Sequence, residues 1–266
     1  MRKNALIFPI AALVLGLAGG LLRQRELDTV FDPVTGLAER GAPVTVILIA
    51  LSVVVIILCA AAAFIVRKKY TAHKDYTLAF GPMNVPTLSG LTLAGLLWLA
   101  ASVKIFFDAR AAGTVSTVDI VFCGFSALSA ISVIVLAFLA RKSSKGPGLL
   151  FFSVIPSLFL CLWLVLLYKQ NAANPVRLDF CYQCLAIAAA VLSFYFSAGC
   201  FFGKAAAAKT IFSYMITVYF GTLTLFDSFP LEMKGIFVAI LAITIVYSIP
   251  YIGNLTPREK DQADIK

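Results

Sequence analysis

RQRELDTVFDPVTGLAERGAP, residues 23 to 43, is the longest break between hydrophobic runs in the N-terminal part of the chain. It carries seven charges, on Arg23, Arg25, Glu26, Asp28, Asp32, Glu39 and Arg40. Within it, Asp32-Pro33-Val34-Thr35-Gly36 reads as a tight turn: proline pre-sets φ at the second turn position, and glycine accepts φ > 0 after it. Thr29–Asp32 and Leu37–Arg40 flank that turn, which predicts a small β-hairpin. The neighbours of this stretch decide the fold. Ala5–Leu22 before it and Val44–Val66 after it are apolar runs of about the length needed to cross roughly 30 Å of hydrocarbon at 1.5 Å per residue. The stretch therefore reads as a cap outside a membrane bundle.

Composition agrees. Of 266 residues, 61% are hydrophobic and only 13% are charged, with a mean hydropathy of +0.96. A soluble domain carries roughly 25% charged residues, so this is a polytopic membrane protein. Lys and Arg outnumber Asp and Glu by 22 to 13. A nucleic-acid binder would gather that excess on a soluble face. Here it lies in short loops, so no nucleic-acid partner is expected and the lipid bilayer is the expected surrounding. The six cysteines, at 59, 123, 161, 181, 184 and 200, sit in or beside apolar runs and form no secreted disulfide framework.

Taken in order, the first span is Ala5–Leu22, preferred over a cleaved signal peptide because it is span-length and more spans follow. Its Gly16 and Gly20 form a small-xxx-small pair that permits close helix approach, and Pro9 is a potential bend. Further spans are expected at about 44–66, 87–107, 117–140, 148–168 with Pro156 as a kink, 178–202, 210–226 and 234–252. The connector 76–86 holds Gly81, Pro82 and Pro86 and reads as irregular. The tail 256–266 is charged and reads as disordered. The expected architecture is an all-α bundle of about eight spans forming one transmembrane domain over residues 1–255.

Eight spans divide the loop charges unevenly. One side takes 14 of the Lys and Arg residues and 4 of the acids; the other takes 8 and 9. Every connector falls in step with this alternation. Both termini are therefore expected in the cytoplasm of a bacterial plasma membrane, with the 23–43 hairpin outside.

Three signals bear on function. The first is a set of small and polar stripes at steps of three or four residues. They run through Thr210, Ser213, Thr217, Gly221, Thr224 and Ser228; through Asp179, Gln183, Ala186, Ala190, Ser193, Ser197, Cys200 and Lys204; and through Asp119, Cys123, Ser126 and Ser129. Each set falls on one helix face. Close helix packing explains such stripes; the functional alternative is a polar seam between three helices. The second signal is a ring of ionisable groups at the outer span ends: Lys104, Asp108, Asp119, Arg177, Asp179, Asp227 and Glu232. Interfacial pairing and snorkelling explain most of them. Lys104 and Asp108, four apart, can pair. With no acid at mid-membrane, a proton relay is disfavoured. Asp119, Asp179, Gln183 and Asp227 are expected to converge under the hairpin, with Lys104, Arg177 or the hairpin arginines as counter-ions, as a binding site for a small molecule.

The third signal is Cys181-Tyr182-Gln183-Cys184 at a helix start, where C-x-x-C can cycle as a disulfide. Such enzymes also need a second cysteine pair as a relay, and the outer loops offer none. The one histidine, His73, lies in a basic loop, and the basic loops set orientation with some contact to anionic lipid. There is no Gly-rich phosphate loop, no H-E-x-x-H and no G-x-S-x-G, so no cofactor, no metal and no catalytic residue is expected.

FDPVTGL, after a first span and before about seven more, resembles uncharacterised multi-pass membrane proteins of Firmicutes. The resemblance covers the first 70 or so residues and implies no activity, ligand or catalytic residue. The residues alone leave three readings: a non-enzymatic transporter or ligand-binding protein with an outer polar site, which leads; a structural or partner subunit; and a thiol redox protein using Cys181 and Cys184.

Overall fold

In a computed structural model, residues 6–32, 37–39, 41–81, 83–113, 115–143, 146–171 and 180–258 are described. Nine helices follow one another among them: α1 (Ile7–Thr29), α2 (Pro43–Lys69), α3 (Tyr76–Ala79), α4 (Val85–Ala111), α5 (Thr117–Arg141), α6 (Pro147–Asn171), α7 (Cys181–Phe201), α8 (Ala207–Thr224) and α9 (Leu231–Gly253). Two short strands, β1 (Tyr70–Thr71) and β2 (Thr256–Pro257), complete the described elements. Local chemistry sets several starts. Pro43 and Pro86 occupy first-turn positions of α2 and α4, where a missing N–H is harmless. Ser116 and Asp119 form a reciprocal capping box on α5.

Seven of these helices are long and apolar enough to cross a membrane, and their outward apolar faces meet lipid. The remaining long helix, α8, has 18 residues and is the exception that organises the rest. From Thr210 to Thr224 every residue but the half-buried Phe212 is buried, whichever face it lies on. α8 packs against α1, α2, α7 and α9. A helix with a stripe of threonines and serines and a further Thr222 off that stripe cannot face hydrocarbon cheaply, so α8 takes the most enclosed position.

α4 to α9 close into a ring, each packed on the next and α9 on α4, while α1 and α2 pack on α8. Aromatic side chains fill the ring. Trp98 lies 5.8 Å from Phe159 and 6.1 Å from Phe194 between ring centroids, and Trp163 lies 5.0 Å from Phe237. Trp98 and Phe159 have no exposed surface at all. A second cluster closes the opposite end, where Phe80, just after α3, stacks on Phe201 and packs at a tilt against Tyr247 and Tyr251.

Several boundaries differ from the sequence reading. α1 does not stop at Leu22 but runs to Thr29, about two further turns. Part of the supposed loop is therefore helix. The hairpin survives in shorter form: Phe31 bridges Ala38, Asp32 N–H donates to Leu37 O at 3.0 Å, and Glu39 N–H donates to Val30 O at 3.0 Å. Its turn, residues 33–36, lies outside the described residues. The connector 76–86 is not wholly irregular, because Asp75 caps the single turn of α3 by accepting from Thr77 N–H at 2.9 Å. The start of the tail is likewise tied down. Thr256 and Pro257 pair antiparallel with Thr71 and Tyr70, and Arg258 N–H donates to Lys69 O at 2.9 Å.

Gly16 and Gly20 do meet a neighbouring helix. A Cβ on Gly16 would sit 2.8 Å from Thr222 Cβ and 2.9 Å from the Tyr219 carbonyl, and one on Gly20 would overlap the Phe226 ring.

Four buried hydroxyls, on Thr45, Ser157, Thr222 and Tyr247, have no hydrogen-bond partner among the described residues. Tyr247 is 2% exposed, and its OH has no hydrogen-bond partner among the described residues. Tyr247→Phe keeps the ring and removes only that group, so stability should stay level or rise by up to about 1 kcal/mol. Tyr214→Phe, which deletes a 2.7 Å bond to Ser197, should instead lose about 1 kcal/mol. Thermal melts in detergent compare the two; a lower melting temperature for Tyr247→Phe than for Tyr214→Phe would contradict this.

Candidate functional site: a buried arginine centre

The continuation of α1 past its apolar run carries Arg23 and Glu26 into the bundle. Arg23 is 1% exposed and Glu26 3%. Arg23 Nη1 donates to Glu26 Oε2 at 2.6 Å, one helical turn away, and Arg23 Nε donates to Asp227 Oδ1 at 2.7 Å. Asp227, 2% exposed, lies just beyond the end of α8, in a turn where its N–H donates to Thr224 O at 3.0 Å. The guanidinium carbon also lies 5.0 Å from the Tyr182 ring centroid and 5.5 Å from that of Phe31. Thr224 Oγ1 donates to Tyr182 O at 3.2 Å, which holds the start of α7 to the end of α8.

One side chain thus joins four segments: α1, the hairpin strand at Phe31, the first turn of α7 and the turn after α8. A guanidinium suits this task because its planar fork bonds carboxylates along its edge while its faces stack on rings. The same burial that makes each bond strong makes the loss of either sign of charge costly.

The sequence-selected residues fall into separate groups. Lys104 and Asp108 pair at 2.6 Å on α4, and Lys104 also pairs with Glu232 at the start of α9. The Lys104 and Asp108 side chains are more than half exposed. Asp119 is taken up by its cap, accepting from Ser116 Oγ at 2.7 Å and Ser116 N–H at 2.9 Å. Gln183 is half-buried in the first turn of α7. Arg177 and Asp179 lie outside the described residues. Among the described residues of the expected convergence, Asp227 is the one that pairs with a hairpin arginine, Arg23. Asp119 and the Lys104 group stay with their own partners, because α5 packs on α4 and α6, away from the α7–α8 contact. Cys181 and Cys184 are half-buried thiols at the start of α7, not joined as a disulfide.

Two of the three polar stripes do meet. Ser193 on α7 and Thr217 on α8 share a hydrogen bond of 2.6 Å. Ser197 donates to the Ser193 carbonyl, so Tyr214 OH must donate to Ser197 Oγ, at 2.7 Å. The α5 stripe turns elsewhere. Trp98 Nε1 donates to Ser126 Oγ at 3.0 Å, and Ser126 bonds Ser102 at 2.7 Å. Ser102 in turn donates to the Trp98 carbonyl at 2.8 Å, which closes the chain of bonds.

Sequence reasoning missed Arg23 and Glu26 as a buried pair. Their spacing of three residues was the available signal, once the helix is allowed to continue beyond Leu22. A concavity of about 650 Å3 lies beside the hairpin, lined by Asp28, Thr29, Phe31, Asp32, Leu37 and Glu39 among others. Compared with protein-family models, curated proteins and solved structures, the chain matches none of them.

Proposed function

We propose that this chain is a non-enzymatic structural or partner subunit of a membrane assembly, with no solute path along its polar seam. The aromatic filling of the α4–α9 ring supports this most directly. Trp98, Phe159, Trp163, Phe194 and Phe237 occupy the space a path would need. The seam hydroxyls support it too, since Ser193, Thr217, Ser197 and Tyr214 bond one another. We place the basic end, with Arg67, Lys142 and Lys209, in the cytoplasm of a bacterial cell, following the excess of positive charge. A second reading, ligand binding near the hairpin, is favoured by the polar concavity beside Asp28, Asp32 and Glu39.

Substituted-cysteine labelling tests both the closed seam and the sidedness. In a cysteine-free background, single cysteines at Ser193 and Thr217 should resist a hydrophilic thiol reagent in intact membranes and react only after denaturation. Reference cysteines at Thr35 and Lys142 should label from opposite sides. Labelling of Ser193 or Thr217 positions from either aqueous side would restore the transporter reading.

A further inference from the structure

At the end of the bundle opposite Arg23, α2, β1, the start of α8 and β2 surround a pocket of about 640 Å3. Four cationic side chains line it: Arg67 from the last turn of α2, Lys74 after β1, Lys209 in the first turn of α8, and Arg258 after β2. No carboxylate lines the pocket, and none of the four forms an ion pair among the described residues. Asp75, next to Lys74 in sequence, caps α3, where it accepts from Thr77 N–H and Oγ1 at 2.9 and 2.8 Å. Cationic side chains from α2, the segment after β1, the start of α8 and the segment after β2 thus line one cavity with no carboxylate among its described lining residues.

The opposite wall is Ala205–Ala208. These short side chains leave the backbone open to the cavity. α8 begins at Ala207 without a side-chain cap, so its first-turn N–H groups add donors to the same space. Sidedness alone explains cations in loops at this end. It does not explain four of them drawn around one cavity from segments about 190 residues apart, held there by the β1–β2 pairing.

We propose that this pocket binds a phosphate-bearing anion. Four cations, two of them guanidinium forks suited to bidentate phosphate bonds, match a multiply charged oxyanion. The pocket abuts the end of a membrane-crossing helix, so the phosphate can belong to an anionic lipid headgroup or to a soluble phosphate compound.

The test uses the full chain purified in detergent and reconstituted in nanodiscs. One arm uses phosphatidylcholine nanodiscs titrated with inorganic pyrophosphate; the other compares phosphatidylglycerol with phosphatidylcholine nanodiscs, with lipid retention read by native mass spectrometry. Pyrophosphate binding in the first arm identifies a soluble ligand, and selective phosphatidylglycerol retention in the second identifies a lipid. Arg67→Gln combined with Lys74→Gln, Lys209→Gln and Arg258→Gln should weaken whichever binding is seen by about tenfold or more. Arg141→Gln with Lys142→Gln, which removes two cations outside the pocket, should not. Ala205→Glu keeps all four cations and adds a competing carboxylate; it should match the quadruple variant, which keeps the test decisive if that variant does not fold. No binding in either arm, or equal loss in the Arg141/Lys142 variant, overturns the proposal.

Discussion

Arg23→Met should lower the stability of the protein by roughly 3–5 kcal/mol, the usual consequence of removing one partner from a buried ion pair. The substitution leaves Glu26 and Asp227 inside the bundle without the guanidinium between them. Arg23→Lys keeps the charge but cannot reproduce the fork geometry or the stacking on Tyr182 and Phe31, so it should fall between the two. Adding Glu26→Gln and Asp227→Asn to Arg23→Met removes all three charges and should recover most of the loss, because the dominant penalty is an uncompensated charge. Thermal unfolding in detergent reads this series. If Arg23→Met melts with the unmodified protein, or if the triple variant is the least stable of the set, the centre does not lock the bundle as described.

Gly16→Leu should separate α1 from α8. A Cβ at Gly16 already meets the Tyr219 carbonyl at 2.9 Å, and backbone cannot step aside as a flexible side chain can. Overpacking typically costs roughly 1–3 kcal/mol, and a clash with backbone belongs at the upper end. Gly124→Leu is the control, since a Cβ there has nothing within 4 Å; it should be neutral or slightly stabilising through helix propensity. Equal melting temperatures for the two variants would show that the α1–α8 contact is looser than drawn.

Seven of the eight expected spans were legible because hydropathy and length determine what can cross a bilayer; the expected span at 210–226 is α8, which is not among the helices apolar enough to count as one. The close approach of α1 was legible in Gly16 and Gly20, whose spacing leaves a groove on one helix face. Which helix fills that groove was not, since a stripe describes a face and not its neighbour. The same gap misplaced Ser126. Its steps of seven from Asp119 and three to Ser129 mark one helix face just as the step of four from Ser193 to Ser197 does, yet Ser126 serves α4. The clue was Trp98, whose buried indole N–H requires an acceptor.

The burial of Arg23 escaped notice for a different reason, although a hairpin arginine was among the expected counter-ions of Asp227. Hydropathy ends α1 where the side chains become charged, while the backbone continues helically to Thr29 because the charges find partners inside. Sequence reading treats an arginine at a span end as snorkelling towards water. Only the three-dimensional neighbourhood of Asp227 and Tyr182 makes burial the better outcome. The central position of α8 was hidden in the same way, since its threonines lower its apolar signal although they are what require it to be enclosed.

The central claim is that the α7–α8 seam is closed on itself and that α5 belongs to a separate polar contact with α4. Paired-cysteine cross-linking in membranes tests it, using a cysteine-free background and a membrane-permeant oxidant. Ser193→Cys with Thr217→Cys replaces oxygens 2.6 Å apart and should form a disulfide, as should Ser102→Cys with Ser126→Cys, whose oxygens are 2.7 Å apart. Ser126→Cys with Thr217→Cys should not. Cross-linking of that third pair, or none in the first two, would contradict the arrangement.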